Sequence, residues 1–186
     1  MAWEFKLLDA IRRRHTRFWD RVMTFFTSIC NAGLVWHVLS LSLILWESTR
    51  FAGFCTFFGA IIASGVANLV VKPLVSRDRP CDRRPELPAK VKKKPHGSSF
   101  PSGHAATSVG GAVGGAIGLL WTVGGIPAVI FGIGTGILAL LISYSRMYLY
   151  VHFPTDVFVG IALGVGCGIG VPYGVHYMYQ FLLSVA

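Results

Sequence analysis

Four stretches of this chain are too long, too apolar and too free of charge for a water-soluble fold. Met23 to Trp46, Phe51 to Val71, Ala105 to Ser145 and Val157 to Ala186 contain no Lys, Arg, Asp or Glu. The third is interrupted at TVGGIP, residues 122–127, and so divides in two. A helix crosses a bilayer in roughly 20 apolar residues. That predicts five spans, near 23–46, 51–71, 105–122, 126–146 and 156–180. A soluble core would leave almost no polar residues to face water on any of the five. Only 13% of the chain is charged, against about 25% in an ordinary soluble domain. The expected fold is all-α: an integral membrane helical bundle of about five transmembrane helices, forming a single domain over residues 1–186.

The N-terminal segment reads differently. Trp3 to Asp20 carries Leu7, Leu8, Ile11 and Phe18 at helical spacing, with Arg12, Arg13, Arg14 and Arg17 between them. This pattern predicts an amphipathic helix over residues 1–21, lying in the interface with its basic face toward headgroups, rather than a cleaved signal. The cysteines Cys30, Cys55, Cys81 and Cys167 have no metal-ligand spacing and imply no disulfide framework. Gly110, Gly114 and Gly118 follow small-xxx-small spacing, which lets helices approach closely in lipid. Gly132, Gly134 and Gly136 likewise lack the order of a nucleotide-binding loop.

With alternating spans, the end of span two, the start of span three, the end of span four and the start of span five fall on one membrane face. Three polar stretches converge there: KPLVSRDRP (72–80), PSGH (101–104) and SRMYLYVHFPTD (145–156). From Pro95 to the C-terminus only Arg146 and Asp156 carry a formal charge, with His152 between them. Lys72, Arg79 and Arg146 are cations near membrane depth, where charge is expensive and marks function. His104 and His152 can exchange protons near neutral pH. Ser102 and Gly103 lead into a helix whose first N–H groups are ready for an anion. Pro154 turns the chain at Phe153, so that Thr155 is expected to cap span five and Asp156 to fall in its first turn, near His152.

Three cations, a hydroxyl and helix-end amides make a cradle for a tetrahedral oxyanion. Two histidines beside it point to phosphoryl transfer, one attacking phosphorus and the other protonating the departing oxygen. Competing readings are simpler. Lys72 could be a snorkelling anchor, and Arg146 with Asp156 a structural ion pair. His104, His152 and Asp156 could bind a divalent metal, although the neighbouring cations oppose it. A lipid-phosphate binding or transport protein could keep the same pocket without turnover. Lys92, Lys93 and Lys94 read as a headgroup-facing patch, and His15, His37, His96 and His176 have no neighbours that give them a role.

The three stretches fit K-x6-RP, PSGH and SR-x5-H-x3-D, in order and on one face, with no motif position departing. Together they resemble the type 2 phosphatidic acid phosphatase superfamily, and the flanking helices are similar in layout to its small bacterial members. The resemblance implies a six-helix all-α core and a phosphatase that needs no metal or other cofactor and works through a phosphohistidine. It implies His152 as nucleophile, Asp156 as its orienting partner and His104 as general acid. Lys72, Arg79 and Arg146 would grip the phosphate, with Ser102 and Gly103 adding a hydroxyl and an amide. The expected partners are a lipid-phosphate substrate and membrane lipids, with no nucleic acid. Polyprenyl (undecaprenyl) diphosphate is the first expectation for the substrate; phosphatidylglycerophosphate, phosphatidate and lipid A are the alternatives.

Two arguments about sidedness conflict. The resemblance implies the extracytoplasmic face of a bacterial plasma membrane. Yet all but Arg50 of the 17 lysines and arginines fall on the active-site face by this span count, which the positive-inside rule assigns to the cytoplasm. Much of that charge is catalytic or belongs to the interfacial helix, which weakens the rule and leaves the extracytoplasmic face as the expectation. Cys81, in the polar loop, is the native position expected to report the face by labelling.

Overall fold

Each charge-free run becomes one helix or a pair of helices in the computed structural model of the chain, which describes residues 2–87, 89–91 and 97–185, except for the side chain of Leu183. Helices α1 (Ala2–Arg12), α2 (Arg17–Ile29) and α3 (Leu34–Ile44) come first. Next is α4 (Arg50–Gly65), whose end widens into a π-helical stretch (Val66–Val71) and closes on Lys72–Leu74. A short helix, α5 (Pro80–Arg83), sits in the polar loop, and α6 (Gly103–Thr122), α7 (Gly125–Tyr148) and α8 (Pro154–Val185) follow. No strand occurs among the described residues. Lys92, Lys93, Lys94 and His96 lie outside the description.

Glu47–Leu74, Gly103–Thr122, Gly125–Tyr148 and Pro154–Leu182 are each long and apolar enough to cross a bilayer. The expected span 23–46 departs from a straight helix. It is built from Arg17–Ile29 and Asn31–Ile44, which meet at a 54° bend. Ala32 (φ 51°) and Gly33 (φ 73°) take left-handed backbone at the bend, and a right-handed helix cannot run through them. The expected single helix from Trp3 to Asp20 also breaks. α1 ends at Arg12, and α2 starts afresh behind Thr16, whose Oγ1 accepts the Trp19 N–H at 3.2 Å.

α6 is the centre of the bundle, packed by α4, α7 and α8. The small-residue stripe is what admits them. A Cβ on Gly114 would lie 2.6 Å from the Cys55 carbonyl oxygen of α4, and one on Gly118 would lie 2.8 Å from Ala52 Cα. From the other side, a Cβ on Gly160 or Gly164 of α8 would lie 2.6 Å from Ser102 O or 2.7 Å from Ala106 O. In lipid, where no hydrophobic force drives helices together, such close backbone approach supplies the dispersion contacts that hold them. α7 instead turns Ile126, Ile130, Ile133 and Ile137 outward, as a lipid-facing stripe should.

The N-terminal helices dock by their acidic residues. Arg13, Arg14 and Arg17 are exposed, in keeping with a basic outer face. Asp9 takes Arg84 Nη1 at 2.9 Å. Asp20 takes Lys90 Nζ at 2.6 Å and the Tyr148 hydroxyl at 3.0 Å. Leu8 is fully buried in a cluster with Cys81, Tyr150 and Phe153. α1 therefore lies on the polar loop and on the turn between α7 and α8.

Candidate active site

The turn between α7 and α8 presents His152. α7 stops where Tyr150 adopts φ 63°, a left-handed conformation more usual for glycine. The Tyr150 N–H then donates to Met147 O at 3.0 Å and the Val151 N–H to Arg146 O at 3.2 Å, the bonding of a Schellman ending. The same Arg146 carbonyl accepts the His152 N–H at 3.3 Å. One residue thus lends its side chain to the cation cluster and its main chain to the nucleophile candidate.

Asp156 stands behind His152. Pro154 opens α8, so Phe153, not Thr155, occupies the cap position; a first-position proline has no N–H to satisfy, and the helix starts two residues earlier than expected. Asp156 Oδ2 accepts the Phe153 N–H at 2.8 Å and faces His152 Nδ1 at 3.6 Å. Oδ1 accepts from Arg77 Nη1. The cation paired with Asp156 is therefore Arg77, and Arg146 is engaged elsewhere. Burial drives the His152 pKa down to about 3; Asp156 opposes the shift, and the positive charges of Arg146 and Arg79 add to it. The ring is thus neutral at physiological pH. Nδ1 faces a carboxylate, which favours the proton there and leaves Nε2 as the unprotonated nitrogen, turned toward the Arg79 guanidinium.

A cavity of about 540 Å³ is lined by Lys72, Arg79, Gly103, His104, Arg146 and His152. Three loops and helix ends, far apart in sequence, do meet at one site. Arg79 Nη1 lies 3.3 Å from His152 Nε2 and donates to Val151 O at 3.1 Å, while Nη2 donates to Ser98 O at 3.2 Å. Arg146 Nη1 donates to the Thr27 hydroxyl of α2, and its Nε is buried without a protein partner. Lys72 Nζ, placed by the π-helical widening of α4, donates to Asn68 Oδ1 at 2.8 Å. The Thr27 main chain hydrogen-bonds the His104 ring, and His104 Nε2 is buried with no partner. That bond uses Nδ1–H, so Nε2 is the ring nitrogen left to take up or give a proton.

Ser102 departs from expectation. It caps α6, and its hydroxyl is buried without a partner, but it does not line the cavity; Gly103 and His104 do. Asp156 is likewise behind the wall rather than in it.

Residues the sequence did not single out also belong here. Asn68 fixes Lys72 and sits where a Cβ on Gly103 would fall, 2.8 Å from its amide atoms. His37, Ala32 and Gly33 line the cavity from the bend in the first span. The spacing of Asn68 and Lys72, one turn apart, was a usable signal. Nothing in the sequence marks His37, because its place depends on the bend. Among the described residues, no group of three or more His, Cys, Asp or Glu is arranged to hold a metal ion.

The chain matches the PAP2 superfamily over residues 53–180. It is 34% identical over 105 residues to decaprenylphosphoryl-5-phosphoribose phosphatase of Mycobacterium tuberculosis, covering 56% of this chain and 51% of that protein. It is 34% identical over 139 residues to undecaprenyl-diphosphatase of Sulfolobus acidocaldarius, covering 74% of this chain and 62% of that protein. The chain thus spans about half the length of the first and under two thirds of the second. Among solved structures, the transmembrane PAP2-type phosphatidylglycerolphosphate phosphatase of Bacillus subtilis superposes with a TM-score of 0.75 at 21% identity, covering 95% of this chain and 86% of that one. LpxE of Aquifex aeolicus superposes with a TM-score of 0.66 at 24% identity, covering 89% and 92%. At these identities the likeness is one of fold.

Proposed function

Because the chain belongs to the PAP2 superfamily, we propose that it is a membrane-embedded phosphatase that releases phosphate from a lipid phosphate or diphosphate through a phosphohistidine, without a metal. The observation that carries this reading is the His152 ring. Its Nδ1 faces Asp156 and its Nε2 sits beside Arg79, on a cavity shared with Lys72, Arg146 and His104. The cations and the N–H groups opening α6 hold the phosphate oxygens and stabilise the charge that develops on them. His152 Nε2 gives its electron pair to phosphorus. The bond from phosphorus to the lipid oxygen breaks, and His104, entering the step as the imidazolium beside the bound phosphate, delivers its Nε2 proton to that oxygen. Water then attacks the phosphohistidine, His104 takes the water proton, and the P–N bond returns its electrons to Nε2 as phosphate leaves.

A polyprenyl diphosphate is the substrate we favour. Both curated relatives named above have a polyprenyl group in the name of what they act on. Beyond the cations the cavity wall continues as Ala60, Ile61 and Leu69, apolar surface suited to the start of a lipid chain. Detergent-purified protein in EDTA is expected to release phosphate from polyprenyl diphosphate faster than from phosphatidylglycerophosphate, phosphatidate or lipid A. Release from none of them, with headgroup binding retained, would instead make this a binding protein.

We place the site on the extracytoplasmic face of a bacterial plasma membrane. Cys81 is buried and cannot serve as the probe, because Leu8 of α1 covers it. Glu86, exposed in the same loop, can. Glu86→Cys is expected to react with a membrane-impermeant maleimide in intact cells; reaction only after permeabilisation would put the site in the cytoplasm.

A further inference from the structure

Glu4 is 3% exposed, on the α1 helix that also buries Leu8 against the polar loop. A carboxylate is rarely buried unless paired, and its partners lead to the reacting centre. Arg77 Nη2 donates to Glu4 Oε1 and Oε2 at 3.0 and 2.7 Å. The Thr155 hydroxyl donates to Glu4 Oε1 at 2.6 Å and lies 2.6 Å from Arg77 Nη1. That same Nη1 donates to Asp156 Oδ1. Arg77 therefore sits between two buried carboxylates, one on α1 and one behind the nucleophile. Its guanidinium also lies 4.4 Å over the Phe153 ring, which Phe5 of α1 meets edge-on at 5.2 Å.

The geometry matters because Asp156 has two oxygens and only one orientation that serves His152. With Oδ1 pinned by Arg77, Oδ2 accepts the Phe153 N–H and faces His152 Nδ1 across 3.6 Å. Arginine is a long, flexible side chain, and it pins Asp156 only if something fixes the guanidinium. Glu4 does so through paired, charge-assisted bonds. α1 steadies the same turn a second time, since Tyr150, held at positive φ, has its hydroxyl 3.4 Å from Asp9 Oδ1.

We propose that Glu4 is a positioning residue of the catalytic site, acting through Arg77 on Asp156 and so on the aim of the His152 ring. The inference rests on the phosphohistidine reading above. Glu4 lies outside the residues 53–180 that match the superfamily, so the relay ties an N-terminal helix of this chain to the shared core.

The test uses the full-length protein in detergent, wild type alongside the variants. Glu4→Gln is expected to lower kcat between about tenfold and a hundredfold, as misplacing a reacting group by an ångström does. Inhibition by inorganic phosphate should stay within about twofold, because Lys72, Arg79 and Arg146 are untouched; a merely structural loosening would weaken both. Arg77→Gln should have the same signature, and the double variant should lose no more than Arg77→Gln alone, since residues acting in one chain are not additive. Thr155→Val keeps the side-chain shape, removes the hydroxyl between Glu4 and Arg77, and gives a second reading should Glu4→Gln fold poorly. Wild-type kcat in Glu4→Gln or in Thr155→Val, parallel loss of phosphate inhibition, or full additivity would each overturn the relay. Active wild type with unaffected variants removes the relay alone, whereas inactive wild type removes the phosphatase reading and the relay with it.

Discussion

Replacing His152 by alanine is expected to reduce phosphate release by at least about 10⁴-fold, the scale seen when a covalent nucleophile is removed. The reason is chemical. Burial keeps the ring neutral, with a pKa near 3, so Nε2 offers an electron pair at any physiological pH. Among the described residues, no ion pair ties either of the other two imidazoles on the cavity wall to a carboxylate: His104 is held by the Thr27 main chain, and His37 meets the Phe57 ring. Binding should survive. Lys72, Arg79 and Arg146 hold their positions through Asn68, through Val151 O and Ser98 O, and through Thr27. The checks are release of inorganic phosphate and, separately, retention of lipid-phosphate headgroup binding. Undiminished turnover would remove His152 from its role.

Gly110→Val is expected to be the most damaging change outside the site, costing about 3 kcal/mol, the upper part of the usual overpacking range. Gly110 lies where three helices cross. A Cβ there would lie 2.7 Å from Ala63 Cβ and press on the Gly59 carbonyl of α4. On the opposite side, Gly164 and Gly168 of α8 already come so close that their own Cβ atoms would lie 3.0 Å from the Gly110 main chain. Backbone cannot step aside as a side-chain tip can, so α4 and α6 must part. Those helices carry Lys72 and His104, and activity should fall with stability. Gly134→Ala is the matched control: nothing lies within 4 Å of its Cβ position, and removing a helical glycine stabilises by about 0.5–1 kcal/mol. Thermal unfolding in detergent should separate the two, and equal behaviour would refute the packing account.

Much of this was legible in the sequence. The spans follow from charge exclusion, which is local and additive, and the ends near 105, 126 and 156 fell within two residues of the helices at Gly103, Gly125 and Pro154. Lys72, Arg79, His104, Arg146 and His152 could be grouped because alternation of spans brings their segments to one face. The glycine stripe on α6 was readable because helical periodicity is fixed. The bend at Ala32 and Gly33 was not, because Ala32 carries no sign of left-handed backbone, and with the bend went the place of His37 on the cavity.

By itself, then, the sequence determined that the chain is a bundle of membrane helices with a cluster of cations and imidazoles at one end. Composition sets the solvent for each segment, and the motifs are short enough to be fixed by local spacing. Only the tertiary structure decided who pairs with whom. Arg77, Arg79 and Arg146 are the same residue type and could each have reached Asp156. Which one does depends on how α1 lies across the loop, and that is set by Leu8, Glu4 and Tyr150 meeting across more than half the chain. Partner choice is a matter of angles and distances between rigid helices, and no window along the chain contains it.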